Sequence, residues 1–375
     1  MCPFREYPIL QTLLRPFRKS QQKTLAFVIA AIAEVARASS LTLATHLAGK
    51  LKIKAGSALR RIYRLLANPR IQDQLLAAQL LRLLGERKRK LLTAIDWTEW
   101  NANLRMLLAS VIVGRRAIPV KALVCQKPLP ESSQNLLEEA FGRQLVGILR
   151  QINQEAILLC DRGFRRASWL KLLRELGQPF VVRIASNVLV HRGTEAPRLL
   201  SSWPLAPGQV VDLGYVTLRQ DQAVEVRVVG VWAVGQSEPW WLATNLDAPV
   251  IELVALYDRR MGIEQQLRDV KGCRFGVQLK WTQFRTPHYL ARMILLVGVA
   301  LVLWTAVGHA VVQRDPSVCL PCKHKGPRLS LVQVGIRFLQ KMAHTVRLDV
   351  RFIRRHLLPP QFRYFAWLCH AGGAS

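Results

Sequence analysis

Apolar positions along the chain change period several times, and each change marks a different kind of element. Residues 21–90 carry helical spacing: Lys23 to Ala38, then Leu43 to Leu51, then Ala58 to Leu66 with a turn placed at Gly56-Ser57. From Leu91 the texture becomes that of strands. Leu91 to Ile95 ends at Asp96-Trp97-Thr98, and Arg105–Val113 and Ala117–Val124 flank a Gly114-Arg115-Arg116 turn as an antiparallel meander. A helix from Ser132/Ser133 to about Asn153 precedes Ala156-Ile157-Leu158-Leu159-Cys160, a continuous apolar run of the kind that fills a central strand. That run ends at Asp161-Arg162-Gly163-Phe164. A helix near Arg166–Leu176 and a strand at Phe180–Ala185 follow.

Between 186 and 246 the alternation of strand and helix stops. Gln209–Arg219 and Ala223–Ala233 predict a hairpin about Gln220-Asp221-Gln222, with Trp240–Thr244 as a third strand. Asp247-Ala248-Pro249 supplies a cap and an early proline for a helix through Leu256–Lys271, and a long apolar helix covers about 289–311. The pattern predicts an α/β chain with a mixed sheet. Five segments follow: a helical region at 1–88, a core in two parts at 89–185 and 247–312, an all-β insertion at 186–246, and a basic, largely helical region at 313–375.

Charge sharpens this outline. The 375 residues carry 54 Lys+Arg against 24 Asp+Glu, a formal charge of +30. Residues 1–90 hold 18 basic and 4 acidic residues, and residues 312–375 hold 11 and 2. A one-signed excess of this size calls for a polyanion and excludes plain solubility charge as its reason. The Ala58–Leu66 helix presents Arg60, Arg61 and Arg64, which suits either a helix-turn-helix reader of DNA or a helical bundle with a basic surface. Seven scattered cysteines fit a reduced, cytosolic chain, and the first residues lack the order of a secretory signal. Met293 to Val307 is apolar enough to raise the question of a membrane span, yet it stands alone and contains Gly298 and Trp304. A buried core helix, with no membrane partner, is the expectation. Cys319 and Cys322 have the spacing of half a zinc site, with Cys369-His370 further on.

Candidate chemistry lies in three carboxylates. Asp96 and Asp161 end two expected core strands, where α/β sheets bind ligands. On one helix, Tyr257, Arg260, Glu264 and Lys271 fall within an arc of about 60°. Three hard oxygen donors without His or thiolate suit Mg²⁺ or Mn²⁺, and two such ions serve phosphodiester displacement.

Asp96-Trp97-Thr98, Asp161-Arg162-Gly163-Phe164 and Tyr257-x2-Arg260-x3-Glu264-x6-Lys271 together resemble the DDE transposases of bacterial insertion sequences. The likeness is to the branch with a β insertion between the second Asp and the Glu. It covers about residues 90–280, and Leu66-Ala67-Asn68-Pro69 is also similar. The resemblance implies a ribonuclease H-like fold, preceded by a helical DNA-binding region. It implies Asp96, Asp161 and Glu264 as catalytic metal ligands for two ions, and Tyr257, Arg260 and Lys271 as holders of DNA phosphates. Trp240 stands where some relatives stabilise a flipped base, with core packing as the other reading beside Trp241. Trp97 departs from the family, many members of which carry Gly there. The implied activity is binding of terminal inverted repeats in double-stranded DNA, nicking, and transfer of the 3′-hydroxyl to target DNA by a homodimer in a synaptic complex. Two other classes remain open: a ribonuclease H-like nuclease that never joins strands, and an inactive DNA-binding remnant.

Overall fold

Two early helices end where the backbone turns left-handed, at Ala36 (φ 52°) and Lys52 (φ 52°). A computed structural model describes residues 3–85, 90–114, 116–131, 133–219, 223–271, 277, 279, 284–319, 329–342 and 347–357. In chain order the helical region contains α1 (Pro3–Glu6), α2 (Ile9–Leu14), α3 (Lys19–Val35), α4 (Ser40–Leu51), α5 (Ala55–Ala67) and α6 (Asp73–Leu84). Then come β1 (Leu91–Glu99), β2 (Leu104–Val113), β3 (Arg116–Gln126), α7 (Ser133–Gln151), β4 (Ala156–Cys160), α8 (Ala167–Glu175) and β5 (Phe180–Ile184). The stretch 186–246 holds β6 (Leu189–His191), β7 (Arg198–Leu199), β8 (Val210–Arg219), β9 (Ala223–Val231) and β10 (Trp240–Thr244). After it stand α9 (Val250–Asp258), α10 (Gly262–Lys271), α11 (Pro287–Arg314), α12 (Leu331–Met342) and α13 (Val350–Leu357).

The chain folds as two units. Among the described residues, one comprises 3–85, 98–128 and those from 263 to 357; the other comprises those of 90–97 and 129–262. In the first unit β2 and β3 pair antiparallel, with a register shift between Ala109 and Ser110. Ser110 faces Pro119 there, and a proline without a donor N–H is accommodated at such an irregularity. Helix α11 is long and apolar enough to cross a membrane, but its apolar window is wholly buried inside the structure. A glycine on each of α11 and α12 admits a close neighbour. A Cβ at Gly308 would lie 1.9 Å from the Leu331 carbonyl oxygen, and one at Gly335 would lie 1.9 Å from that of Trp304, so α11 and α12 cross backbone to backbone.

A buried cation, Arg292 on α11, organises the end of α5. Its Nη1 donates to the carbonyls of Leu65 (2.9 Å), Leu66 (2.6 Å) and Asn68 (3.0 Å), and its Nη2 to that of Ile71 (2.8 Å). Its Nε donates to Asp73 Oδ1 at 2.7 Å. The helix C-terminus that Asn68-Pro69 terminates is thus capped by a guanidinium, which the negative end of a helix favours. Helix α5 buries Ala58, Ile62, Leu65 and Leu66 and exposes Arg60, Arg61 and Arg64. Gly56 and Ser57 do not form the turn expected of them. They lie in the first turn of α5, and the reversal falls on Lys52–Lys54, where Lys52 takes up the left-handed conformation.

The second unit is built on a mixed sheet whose order is β1-β4-β5-β10-β9-β8-β6-β7. β1, β4 and β5 are mutually parallel; β10, β9 and β8 join antiparallel. The 186–246 strands therefore extend the sheet through β10 on β5. Trp241 is buried, and its ring fits where Gly230 on β9 lacks a side chain: a Cβ there would meet it at 2.6 Å.

The helix expected to run unbroken from 256 to 271 is broken. Arg259–Met261 forms a 3₁₀ turn between α9 and α10, with Gly262 N–H bonded to the Arg259 carbonyl. Such a turn winds about 20° further per residue than an α-helix. One helical wheel therefore does not describe Tyr257 through Lys271. Pro249, not Asp247, occupies the N-cap of α9, without a side-chain bond. The 220–222 turn and most of the Cys319/Cys322 and Cys369-His370 motif lie outside the described residues.

Candidate active site

Parallel pairing sets the first relation in the site. Ile95 on β1 is the register partner of Cys160 on β4, so Asp96 and Asp161 are the next residues of neighbouring strands, which run about 4.8 Å apart. Asp161 accepts the Gly163 N–H through Oδ1 at 2.9 Å and thereby starts the 3₁₀ turn Arg162–Phe164. The approach is close: a Cβ at Gly163 would lie 3.0 Å from the same oxygen. One carboxylate oxygen closes the turn; the other takes no part in it.

Arg260 approaches Asp96, with Nη1 3.5 Å from Oδ2 and both side chains largely buried. Burial alone would lower the guanidinium pKa, but Tyr257, Asp96 and Asp161 outweigh it and raise it. Its Nε is buried without a hydrogen-bond partner among the described residues. A buried, fixed cation with an unused donor is suited to an anionic ligand. Tyr257 packs 5.8 Å from the Arg260 guanidinium and edge-on to Trp240 at 5.3 Å. Burial pushes the Tyr257 hydroxyl up to about 12, against the opposing pull of Arg260 and Arg183, so it remains a donor at neutral pH.

Strand alternation separates the two adjacent tryptophans. Trp241 enters the core, while Trp240 on the opposite face meets Tyr257 and lies 5.7 Å from the Arg183 guanidinium. Arg183 is held by Glu238 at 2.6 Å, and Arg162 stands 3.8 Å from the same carboxylate. Sequence reasoning passed over Arg162, Arg183 and Glu238. Arg162 sits within the Asp-Arg-Gly-Phe motif and Arg183 interrupts an apolar strand, and those were the available signals.

Glu264 occupies the first turn of α10, half-buried, in the unit that begins at Ile263. Lys271 ends α10. Arg60, Arg61 and Arg64 project from α5 of that same unit. The structure thus gathers Asp96, Asp161, Arg260, Tyr257 and Trp240 within one unit, and Glu264, Lys271 and the α5 arginines belong to the other. Among the described residues no three His, Cys, Asp or Glu side chains form a cluster that could hold a metal ion.

Residues 135–303 match the family described as transposase DDE domain. Over those residues the chain is similar to transposase DDE domains. Domains of this kind belong to the transposases of insertion sequences, enzymes that cut DNA with the help of divalent metal. The matched stretch contains Asp161, Tyr257, Arg260, Glu264 and Lys271; Asp96 precedes it. No curated protein matches the chain.

Proposed function

We propose that the chain is a DNA transposase of the ribonuclease H-like class, with Asp96, Asp161 and Glu264 as its catalytic carboxylates. The observation that carries this reading is the register of Ile95 with Cys160, which sets Asp96 beside Asp161, with Arg260 placed on Asp96. The order of strand, antiparallel hairpin, helix, strand, helix and strand, with β1, β4 and β5 parallel, suits that fold class.

The donor chemistry fits Mg²⁺ or Mn²⁺: two carboxylates side by side on adjacent strands leave room for water and phosphate oxygens. Glu264 would complete the set for two ions. When bound, such ions supply Lewis-acid stabilisation and lower the pKa of an attacking oxygen nucleophile. This chain's own residues do the rest. Arg260 and Lys271 hold phosphate oxygens by charge-assisted contacts, and Tyr257 donates its protonated hydroxyl. Trp240 offers a ring face for an unstacked base. Arg60, Arg61 and Arg64 hold the duplex at the transposon end.

In the first displacement a water oxygen attacks phosphorus at the element's end and the 3′-oxygen leaves as a hydroxyl. In the second, that hydroxyl attacks a target phosphodiester, and the target's own 3′-oxygen leaves. We infer a homodimer on paired ends, acting in the bacterial cytoplasm on double-stranded DNA.

The test is incubation of the protein and Mg²⁺ with a plasmid carrying the DNA that flanks its gene, together with a second, target plasmid. Nicked ends and joined product are expected. Nicking without joining would replace this reading by a nuclease, and binding without nicking by an inactive remnant.

A further inference from the structure

A buried carboxylate outside the three proposed catalytic acids ties together the segments that follow both aspartates. Glu138 lies on α7 and is 1% exposed. Its Oε1 accepts the indole N–H of Trp97 at 2.7 Å and the side-chain amide of Gln134 at 2.9 Å. Its Oε2 accepts from Arg166 Nη2 at 2.5 Å. Arg166 is held further by Ser168 Oγ at 3.0 Å and lies 3.7 Å from Glu139. Trp97 is the residue after Asp96. Arg166 is the N-cap of α8, two residues beyond the 3₁₀ turn that Asp161 opens.

Successive side chains of a strand point to opposite faces. Anchoring Trp97 toward α7 therefore fixes the rotation of β1 at that point, and with it the direction of Asp96. Anchoring Arg166 fixes the far end of the turn whose near end is Asp161. Both tethers run to one carboxylate, so the two aspartates are held with respect to the same atoms. Packing alone does not call for a charge here. An ion pair this deep loses in desolvation about what it gains in attraction, and an apolar pair of similar volume would serve stability as well. A buried network with every oxygen used restricts geometry instead.

We propose that Glu138 is a positioning residue for the aspartate pair, setting Asp96 and Asp161 for a divalent cation through Trp97 and Arg166. This rests on the reading that those aspartates hold the metal. It also accounts for the bulky Trp97 beside Asp96, whose indole N–H is the tether.

The experiment compares wild type, Glu138→Gln and Trp97→Phe as full chains. Mn²⁺ binding without DNA is followed by the paramagnetic signal of the free ion, alongside the thermal midpoint and nicking of the flank-bearing plasmid across a Mn²⁺ series. Outer-shell partners of metal ligands typically change affinity by about 10–100-fold. Half-saturation is expected to rise about tenfold in Glu138→Gln and by less in Trp97→Phe, which keeps an aromatic ring there but loses the N–H donor with the pyrrole part of the indole. Nicking should return to near the wild-type rate at saturating Mn²⁺ at a temperature where each variant is folded, although the midpoint of Glu138→Gln falls because Arg166 loses its buried partner. If Glu138→Gln fails to fold, Trp97→Phe decides. A wild type that binds Mn²⁺ and nicks, with folded variants of unchanged half-saturation, overturns the role of Glu138 alone. A wild type that neither binds Mn²⁺ nor nicks overturns this role together with the metal-holding aspartates.

Discussion

Asp96, inside β1, and Asp161, the first residue after β4, stand at equivalent positions of neighbouring parallel strands, because Ile95 and Cys160 are register partners. A slip of one residue would turn one of the two acids to the other face of the sheet, since side-chain direction alternates along a strand. The relation between them is therefore as secure as the β1–β4 pairing itself. It also separates two duties of Asp161, one oxygen closing the turn to Gly163 and the carboxylate's charge serving a ligand.

Asp161→Asn tests that division. The amide oxygen can still accept from Gly163, so the thermal midpoint should match wild type within a degree or so. Nicking in Mg²⁺ should fall by at least about a hundredfold, the upper end of what disturbing even an outer-shell partner does. Asp161→Ala should lose nicking and also lower the midpoint. An Asn variant that nicks as wild type would remove Asp161 from the proposed triad.

Tyr257 predicts a pH dependence of stability. Its folded pKa is raised, through burial, to about 12 from 10.0. The raised value favours the protonated folded form, and that advantage is fully present below pH 10. As pH rises from 10 toward 12 the unfolded chain ionises first and stability is lost. Tyr257→Phe keeps the ring against Trp240 and removes the group, so it should lose less stability than wild type between pH 9 and about 11.5. Tyr7, whose pKa burial also raises, leaves part of the alkaline loss in place in both proteins. Denaturant titrations at each pH measure the difference.

Arg292→Met should destabilise the unit that contains α5 by about 3–5 kcal/mol, the range for breaking a buried ion pair from one side. Four backbone carbonyls and Asp73 lose their donor together. Urea unfolding followed by far-ultraviolet circular dichroism reads the loss. A change below about 1 kcal/mol would show that water replaces the guanidinium.

Gly335→Ala probes the crossing of α11 and α12. In an exposed helix the change would stabilise by roughly 0.5–1 kcal/mol through helix propensity. Here the new Cβ would meet the Trp304 carbonyl oxygen at 1.9 Å, so the helices must part. A lowered midpoint is expected, by an amount equivalent to about 1–3 kcal/mol. An unchanged or raised midpoint would contradict the close crossing.

Periodicity alone placed most elements near where they stand: the apolar run at 156–160, the hairpin of β8 and β9, the strand at 240–244 and the long helix α11. Those patterns are local, since residues two or four apart report on one face of one element. Asp161 could be read as a strand-end acid for the same reason, whereas Asp96, expected to end its strand, lies inside β1, which runs on to Glu99. Their adjacency could not, because register is decided by which strand pairs with which. The 3₁₀ break at Arg259–Met261 was hidden as well, for a run of polar and apolar residues fits either helix and only the bonding of Gly262 to Arg259 distinguishes them.

Charge and motif spacing were sufficient to point to a polyanion and to the residues that would act on it, since both are carried by residue type and order. What required the folded chain were the long-range partners: Arg260 on Asp96, Trp240 rather than Trp241 against Tyr257, Arg292 under the end of α5, and Glu138 joining Trp97 to Arg166. Each joins positions between 17 and 227 residues apart. A contact at such separation leaves no period in the sequence, because its geometry exists only once the intervening elements have packed.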